Sequence, residues 1–256
     1  MEYEFTREEA ALLYVLHGEE PPPLIDIDVY GTFADTASES AQSLERSLTS
    51  RALLVYGEEG SRVLDEGLAR ILATCFEAKI ALMPEIDGVV TSATYLLDDD
   101  TAIVARSGER IVFRAVDSLE QRTHAFVETL GATPLSTDRS VGLLSLSEDE
   151  AEHLLEVYDA EGSQAISDLC LQHGWDAATV DDVLAHVIPE DIGRVRLSVY
   201  FREAPFFTSA KVACDGDHAW VLKSIVGDEE RSIHLIRCAP ISLLSVLVDI
   251  PAVPSS

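Results

Sequence analysis

Two stretches set the reading of the fold: Phe5-Thr6-Arg7-Glu8-Glu9-Ala10, followed by Leu12-Leu13, and Leu146-Ser147-Glu148-Asp149-Glu150-Ala151, followed by Leu154-Leu155. Each places a hydroxyl residue three positions ahead of a glutamate. At that spacing the hydroxyl accepts from the N3 amide, and the glutamate reaches back to the N-cap amide. Phe5 and Leu146 stand at the apolar position ahead of each cap, where a hydrophobic staple belongs. The stretches therefore predict two helix starts of one design, 141 residues apart.

Working outward, each start leads through helical sequence into short β-rich runs and then a closing helix. The acidic turn Asp98-Asp99-Asp100 has its counterpart in Asp215-Gly216-Asp217, 117 residues on. Gly108-Glu109-Arg110 has its counterpart at Gly227 to Arg231, 119 residues on. The first half thus carries about two dozen extra residues ahead of its meander, matching the stretch from Pro21-Pro22-Pro23 to Asp35. The fold class expected is α+β: two related lobes, each with helices, an antiparallel β-meander and a closing helix, in pseudo-two-fold relation. The expected division is a first lobe over 1–132, a linker over 133–146 and a second lobe over 147–256.

In the first half, apolar spacing predicts helices over Thr6 to Gly18, Thr36 to about Leu54 and Arg62 to about Glu77, with a partly alternating run at Leu24 to Val29. Ile80–Met83, Val89–Leu97, Thr101–Arg106 and Ile111–Val116 read as strands. A helix from Ser118 to about Leu130 closes the half, with Gly131 as its stop. In the second half, helices are expected near Glu148–Tyr158, Ser163–His173 and Ala177–His186. Strands are expected at Val195–Arg202, Phe206–Cys214, His218–Val226 and Ser232–Cys238, then a helix from Ile241 to Val248.

The charge balance narrows the function classes. Eighteen basic residues face 46 acidic ones, a net charge of −28, and only Lys79, Lys211 and Lys223 are lysines. The acids are dispersed in small groups, which favours solubility and repels phosphate backbones. Nucleic acid is therefore not an expected partner. No apolar run approaches the roughly 20 residues of a membrane helix, and the acidic start Met1-Glu2-Tyr3-Glu4 lacks signal-peptide design. Membrane insertion is not expected, and a cytoplasmic location is.

Chemistry-bearing motifs are sparse. The phosphate-loop, dinucleotide, nucleophile-elbow and zinc-protease patterns are absent from the sequence. Cys75, Cys170, Cys214 and Cys238 form no CxxC pair. They are expected as buried reduced thiols, with a Cys214–Cys238 bridge between neighbouring strands as the alternative. Cys214-Asp215-Gly216-Asp217-His218 gathers possible metal donors, yet Asp-Gly between alternating apolar runs is foremost a hairpin turn. The expectation is no catalytic residue, no metal and no cofactor. The pairs Glu120/His124, His124/Glu128 and Asp149/His153 are ordinary helix-surface spacings. The second meander is aromatic at one end, with Tyr200, Phe201, Phe206, Phe207 and Trp220. These side chains read either as core or as an exposed hairpin tip, and in the latter case as the partner-binding residues.

Phe5-Thr6-Arg7-Glu8-Glu9, Ser47-Leu48-Thr49-Ser50-Arg51-Ala52-Leu53 and Ala102-Ile103-Val104-Ala105-Arg106, with the order of elements, resemble the EspG-like chaperones of type VII (ESX) secretion. The resemblance covers most of the chain in plan. It implies two α/β lobes around a central sheet, and a cytosolic protein that holds helical secretion substrates of the PE/PPE class. The second half departs, since the arginine- and glycine-rich strand expected there is reduced to Gly193-Arg194. No family binding residue is carried over. The function expected is a non-catalytic chaperone holding a helical or hydrophobic segment of another protein. The alternative is an acidic immunity-type inhibitor of a basic toxin.

Overall fold

The computed structural model describes residues 1–17, 39–132, 141–147, 149, 163–172, 174, 176, 195–202, 207–214, 218–226 and 231–248. Within these the chain is α+β, with antiparallel sheet and helices. It divides into two compact units. One comprises 1–83, 90–122 and 201–203, and the other 84–89, 123–200 and 204–256.

The first unit opens with a strand, β1 (Glu2–Thr6), whose alternation puts Phe5 in the core. Helix α1 (Arg7–His17) follows directly. The expected capping box is present: Glu9 N–H donates to Thr6 Oγ1 at 3.2 Å, and Thr6 N–H donates to Glu9 Oε2 at 3.0 Å. Helix α2 (Glu39–Ser50) ends where Ala52 takes a left-handed φ of 57°. The sequence then departs from the helix expected from Arg62. Strands β2 (Leu54–Tyr56) and β3 (Arg62–Leu64) form a hairpin, and helix α3 (Glu66–Glu77) begins after it. The physical reason is Asp65, whose carboxylate accepts the Leu68 N–H at 3.0 Å and fixes the helix start there. From that origin Leu68, Ile71, Leu72, Cys75 and Phe76 fall on one buried face.

The meander runs β4 (Ile80–Ile86), β5 (Val89–Val90), β6 (Ser92–Leu97), β7 (Asp100–Ser107) and β8 (Arg110–Val116). Asp98 and Gly108 turn its hairpins in left-handed backbone (φ 48° and 60°). The strand order is β1-β8-β7-β6-β4. Helix α3 lies against β6, β7 and β8. Phe113 is the centre of the core, edge-on to Phe5 at 5.4 Å and tilted to Tyr14 at 6.0 Å, and Tyr14 in turn meets Phe76 at 5.3 Å. Arg202 belongs to this unit and caps the end of α3. Its N–H donates to Lys79 O at 2.9 Å, its Nε to Ala78 O at 3.1 Å, and its Nη2 to Phe76 O.

Helix α4 (Leu119–Thr129) ends at Gly131, left-handed at φ 80°, whose N–H donates to Glu128 O at 3.0 Å. Next comes β9 (Val141–Ser147), a correction to the expected linker over 133–146, since 141–146 are strand. Its side pairing explains why: all seven residues find antiparallel partners, from Ser147↔Ser232 to Val141↔Cys238. Helix α5 (Ser163–Gln172) precedes β10 (Val195–Phe201), β11 (Phe207–Cys214), β12 (Ala219–Val226) and β13 (Arg231–Cys238), and α6 (Leu243–Val248) follows. The strand order in this unit is β10-β11-β12-β13-β9. Leu197, Val199, Val212 and Val221 are fully buried. The second capping box, the strand expected at Leu24–Val29 and the helices near 148–158 and 177–186 lie outside the described residues.

The expected alternative of a Cys214–Cys238 bridge is overturned. Both residues pair with Ala219, from opposite sides of β12. They are two strand spacings apart, about 9–10 Å, beyond the reach of a disulfide. Cys75, Cys214 and Cys238 are free thiols.

Candidate protein-binding face

Strands β10 and β11 place the aromatic end of the second meander. Their register runs from Val195↔Val212 to Tyr200↔Phe207, with Arg196↔Lys211 and Ser198↔Ser209 between. Alternate residues of a strand share a face. Leu197 and Val199 are fully buried on one side, with Ala210 and Val212. Arg196, Ser198 and Tyr200 share the other side with positions 207, 209 and 211. There Arg196 and Lys211 are exposed and Ser198 and Tyr200 half-buried. The hydrophobic alternation of the sequence dictates this sorting, because slipping by one residue would bury two cations.

The five aromatic residues singled out from the sequence are not all alike. Tyr200 lies on the outward face and is half-buried. Phe201, one residue on, is half-buried and alternates to the opposite side. Phe207 pairs with Tyr200 by backbone register. Phe206 lies outside the described residues. Trp220 is 1% exposed. It shares its side of β12 with Leu222, yet Ala219, Trp220 and Val221 are all buried, so the indole is packing material and offers no open surface.

Arg237, opposite Trp220 in register, lies over its ring at 5.6 Å. Its Nη2 donates to His218 Nε2 at 2.7 Å. A guanidinium can only donate, so that imidazole nitrogen accepts and its proton sits on Nδ1. The metal-donor run reaches this point, but Asp215–Asp217 lie outside the described residues. Among the described residues no group of three or more His, Cys, Asp and Glu side chains is placed to hold a metal.

Lys211 was visible in the sequence only as one of three lysines, and Arg196 not at all. The signal was the alternation Arg196-x-Ser198-x-Tyr200 against Phe207-x-Ser209-x-Lys211, which becomes a face once the register is known. Like charges directly opposite on neighbouring strands destabilise the pair. Neither cation makes an ion pair among the described residues. In the first unit, by contrast, Arg51 meets Glu9 at 3.3 Å, Arg62 meets Glu45 at 2.6 Å, Lys79 meets Asp98 at 2.6 Å, and Arg70 meets Asp100.

A second polar group lies on the other side of the second unit's strands. Lys223, His234 and Ser145 are successive register partners across β12, β13 and β9. His234 Nε2 is 3.0 Å from Ser232 Oγ and 3.3 Å from Ser145 Oγ. Burial, then the charge of Lys223, push the His234 pKa below its ordinary value. A cation that weakens the imidazole as a base works against serine activation, which needs the base strengthened. In the first unit, Tyr14, Cys75 and Tyr95 are fully buried, and burial raises all three so that they are neutral at pH 7. Burial also pushes the Cys238 thiol up to about 12, with Cys214 adding to it.

No protein-family model matches the sequence, and no curated protein matches it. A solved structure of the Mycobacterium tuberculosis type VII secretion system chaperone EspG5, in complex with a PE25-PPE41 dimer, is similar over 100% of this chain and 99% of that chain, with a TM-score of 0.56 and 10% sequence identity. At that identity the likeness is one of fold. The extracellular domain of a protein described as the histidine kinase vpHK1S-Z8 is matched over 93% of this chain at 13% identity, and a TM-score of 0.16 gives that match no weight. Among the described residues, no helix is long and apolar enough to cross a membrane.

Proposed function

We propose that this chain is a non-catalytic, cytoplasmic chaperone that holds a helical or hydrophobic segment of a secretion substrate. The observation that carries the reading is the end-to-end likeness of fold to a type VII secretion chaperone, over 100% of one chain and 99% of the other. Partner contact is assigned to the aromatic end of the second meander, at Tyr200, Phe201, Phe206 and Phe207. Trp220 is buried and pairs with Ala213, six residues along β11 from Phe207, so it stands at the other end of the strands from that surface. The inhibitor alternative draws no support from these similarities.

The two halves are inferred to be an internal duplication, the first closing with α4 and the second opening with β9. Each half opens with a strand that pairs antiparallel with the last strand of its meander: β1 with β8, and β9 with β13. Each then orders its remaining strands identically and follows the last with a helix. Thr6 and Ser147, the two cap residues, each end the opening strand.

Affinity capture of the tagged protein from its own host, at low and high salt with mass-spectrometric readout, tests the function. A small helical secreted protein retained at high salt is the expected result. A basic partner lost at high salt would replace the chaperone with the inhibitor, because exposed charge is screened within about 8–10 Å at physiological salt. Capture of no host protein would overturn both.

A further inference from the structure

We infer that the outward face of β10 and β11 docks an acidic segment of the protein partner, with carboxylates over Arg196 and Lys211 and apolar side chains over Tyr200 at one side and Leu222, the register partner of Lys211, at the other. The inference rests on the protein-binding reading and names the chemistry its partner must carry. Arg196 and Lys211 are directly opposed, so their Cβ atoms stand about 4.5–5.5 Å apart. Both are exposed. With 46 acids against 18 bases, carboxylates outnumber cations in this chain, and in the first unit Arg51, Arg62, Arg70 and Lys79 each meet at least one. Two adjacent cations without one keep a local repulsion that a bound carboxylate pair would relieve.

The surroundings select the size and kind of anion. Lys211 pairs with Leu222, which is half-buried, and Leu222 pairs with the buried Leu235. The cations therefore border an apolar strip, with Tyr200 two register rows along β10. This suits a segment mixing acidic and aliphatic residues. The chain's net charge of −28 repels an extended polyanion, so nucleic acid and anionic membrane are disfavoured over a short stretch whose few carboxylates fall on the basic pair. The same field rejects that stretch from the rest of the surface, which gives the contact its specificity.

The test uses the full chain and fluorescence anisotropy with a labelled peptide of alternating leucine and glutamate. Companion probes are the glutamine and lysine versions of that peptide and a thymidine oligonucleotide. The glutamate peptide is expected to bind about 5–10-fold tighter than the glutamine peptide, the scale of two partly screened ion pairs. Arg196→Ala with Lys211→Ala should erase that ratio, and Arg196→Glu with Lys211→Glu should turn the preference to the lysine peptide. The melting profile of each variant confirms that it folds. Equal binding of glutamate and glutamine peptides, an unchanged ratio in the double alanine variant, tighter binding of the oligonucleotide, or no peptide binding at all would each overturn the inference. Equal binding of both peptides would leave the chaperone reading standing, whereas capture of no host protein removes that reading whatever the peptides do.

Discussion

The surroundings of Glu9 and the face bearing Arg196 and Lys211 handle charge in opposite ways. Glu9 is 4% exposed. Its Oε2 accepts the Thr6 N–H and meets Arg51 at 3.3 Å, while its Oε1 accepts Ser47 Oγ at 2.6 Å. Arg51 also donates to Glu4 O at 2.6 Å and lies over Phe5 at 5.0 Å. One carboxylate thus serves as helix cap and as the joint between α1 and α2, every bond spent on the fold. Among the described residues Arg196 and Lys211 make no such bonds, and their repulsion is tolerated at the surface. A buried charge left without its partner costs about 3–5 kcal/mol; an exposed one can be left for something else. The difference separates residues that build this chain from those free to contact a partner.

The sharpest way to break that separation is at the aromatic set, where both kinds occur. Trp220→Ala removes a fully buried indole and should cost about 3–5 kcal/mol in chemical denaturation. Tyr200→Ala, on the outward face, should cost about 1 kcal/mol or less and act instead on partner capture. Equal losses of stability would place Tyr200 in the core and leave the binding face without its aromatic residue.

Glu9→Ala comes next, at about 3 kcal/mol, because it strands the Thr6 N–H, the Ser47 hydroxyl and the Arg51 guanidinium together. Arg51→Ala should cost less, since Arg51 is about a third exposed and Glu9 keeps its other donors. Urea unfolding of the two variants and their double would report strong coupling. Additive effects would mean that the carboxylate is not the joint described. Smaller again is Arg202→Ala. Losing the side-chain donors to Phe76 O and Ala78 O at the end of α3 should cost about 1 kcal/mol. A variant as stable as the wild type would show those carbonyls equally well served by water.

How much of this was legible beforehand follows from what each feature depends on. The Thr6/Glu9 box, the Gly131 stop and the strands of both meanders are set by residues within a few positions of one another, and all were readable. β1 was readable in principle from the alternation of Tyr3 and Phe5, but its short acidic sequence takes meaning only from pairing with β8, over 100 residues away. β9 read as linker for the same reason, its partner being β13. The start of α3 was misplaced because Val63 and Leu64 continue the apolar period of Leu68, Ile71 and Leu72, and only the Asp65 cap separates hairpin from helix. At the candidate face, aromatic character was visible. The burial of Trp220 and the Arg196–Lys211 opposition were not, because both are consequences of strand register.

The smallest effect expected is also in the first unit, where Tyr3 Oη donates to the Asp65 carboxylate at the start of α3. Gly67 leaves room for it, since a Cβ there would lie 2.6 Å from Tyr3 Oη. Burial, with the Asp65 hydrogen bond and charge, pushes the Tyr3 pKa up to about 12. The Tyr3 hydrogen bond, with that from Leu68, holds Asp65 below its ordinary 3.8. The signs follow by linkage. A raised tyrosine contributes stability that is fully present below about pH 10 and lost as pH climbs toward 12. A depressed aspartate contributes stability that is present above pH 4 and lost as pH falls below it. Both groups are largely solvated, so the pair is worth less than about 1 kcal/mol. The difference in stability between wild type and Tyr3→Phe should therefore be greatest from about pH 5 to 9 and shrink toward both ends. Tyr14 and Tyr95 titrate identically in both proteins and cancel from the difference. A gap that stays constant with pH would mean that the phenol packs against α3 without engaging the carboxylate.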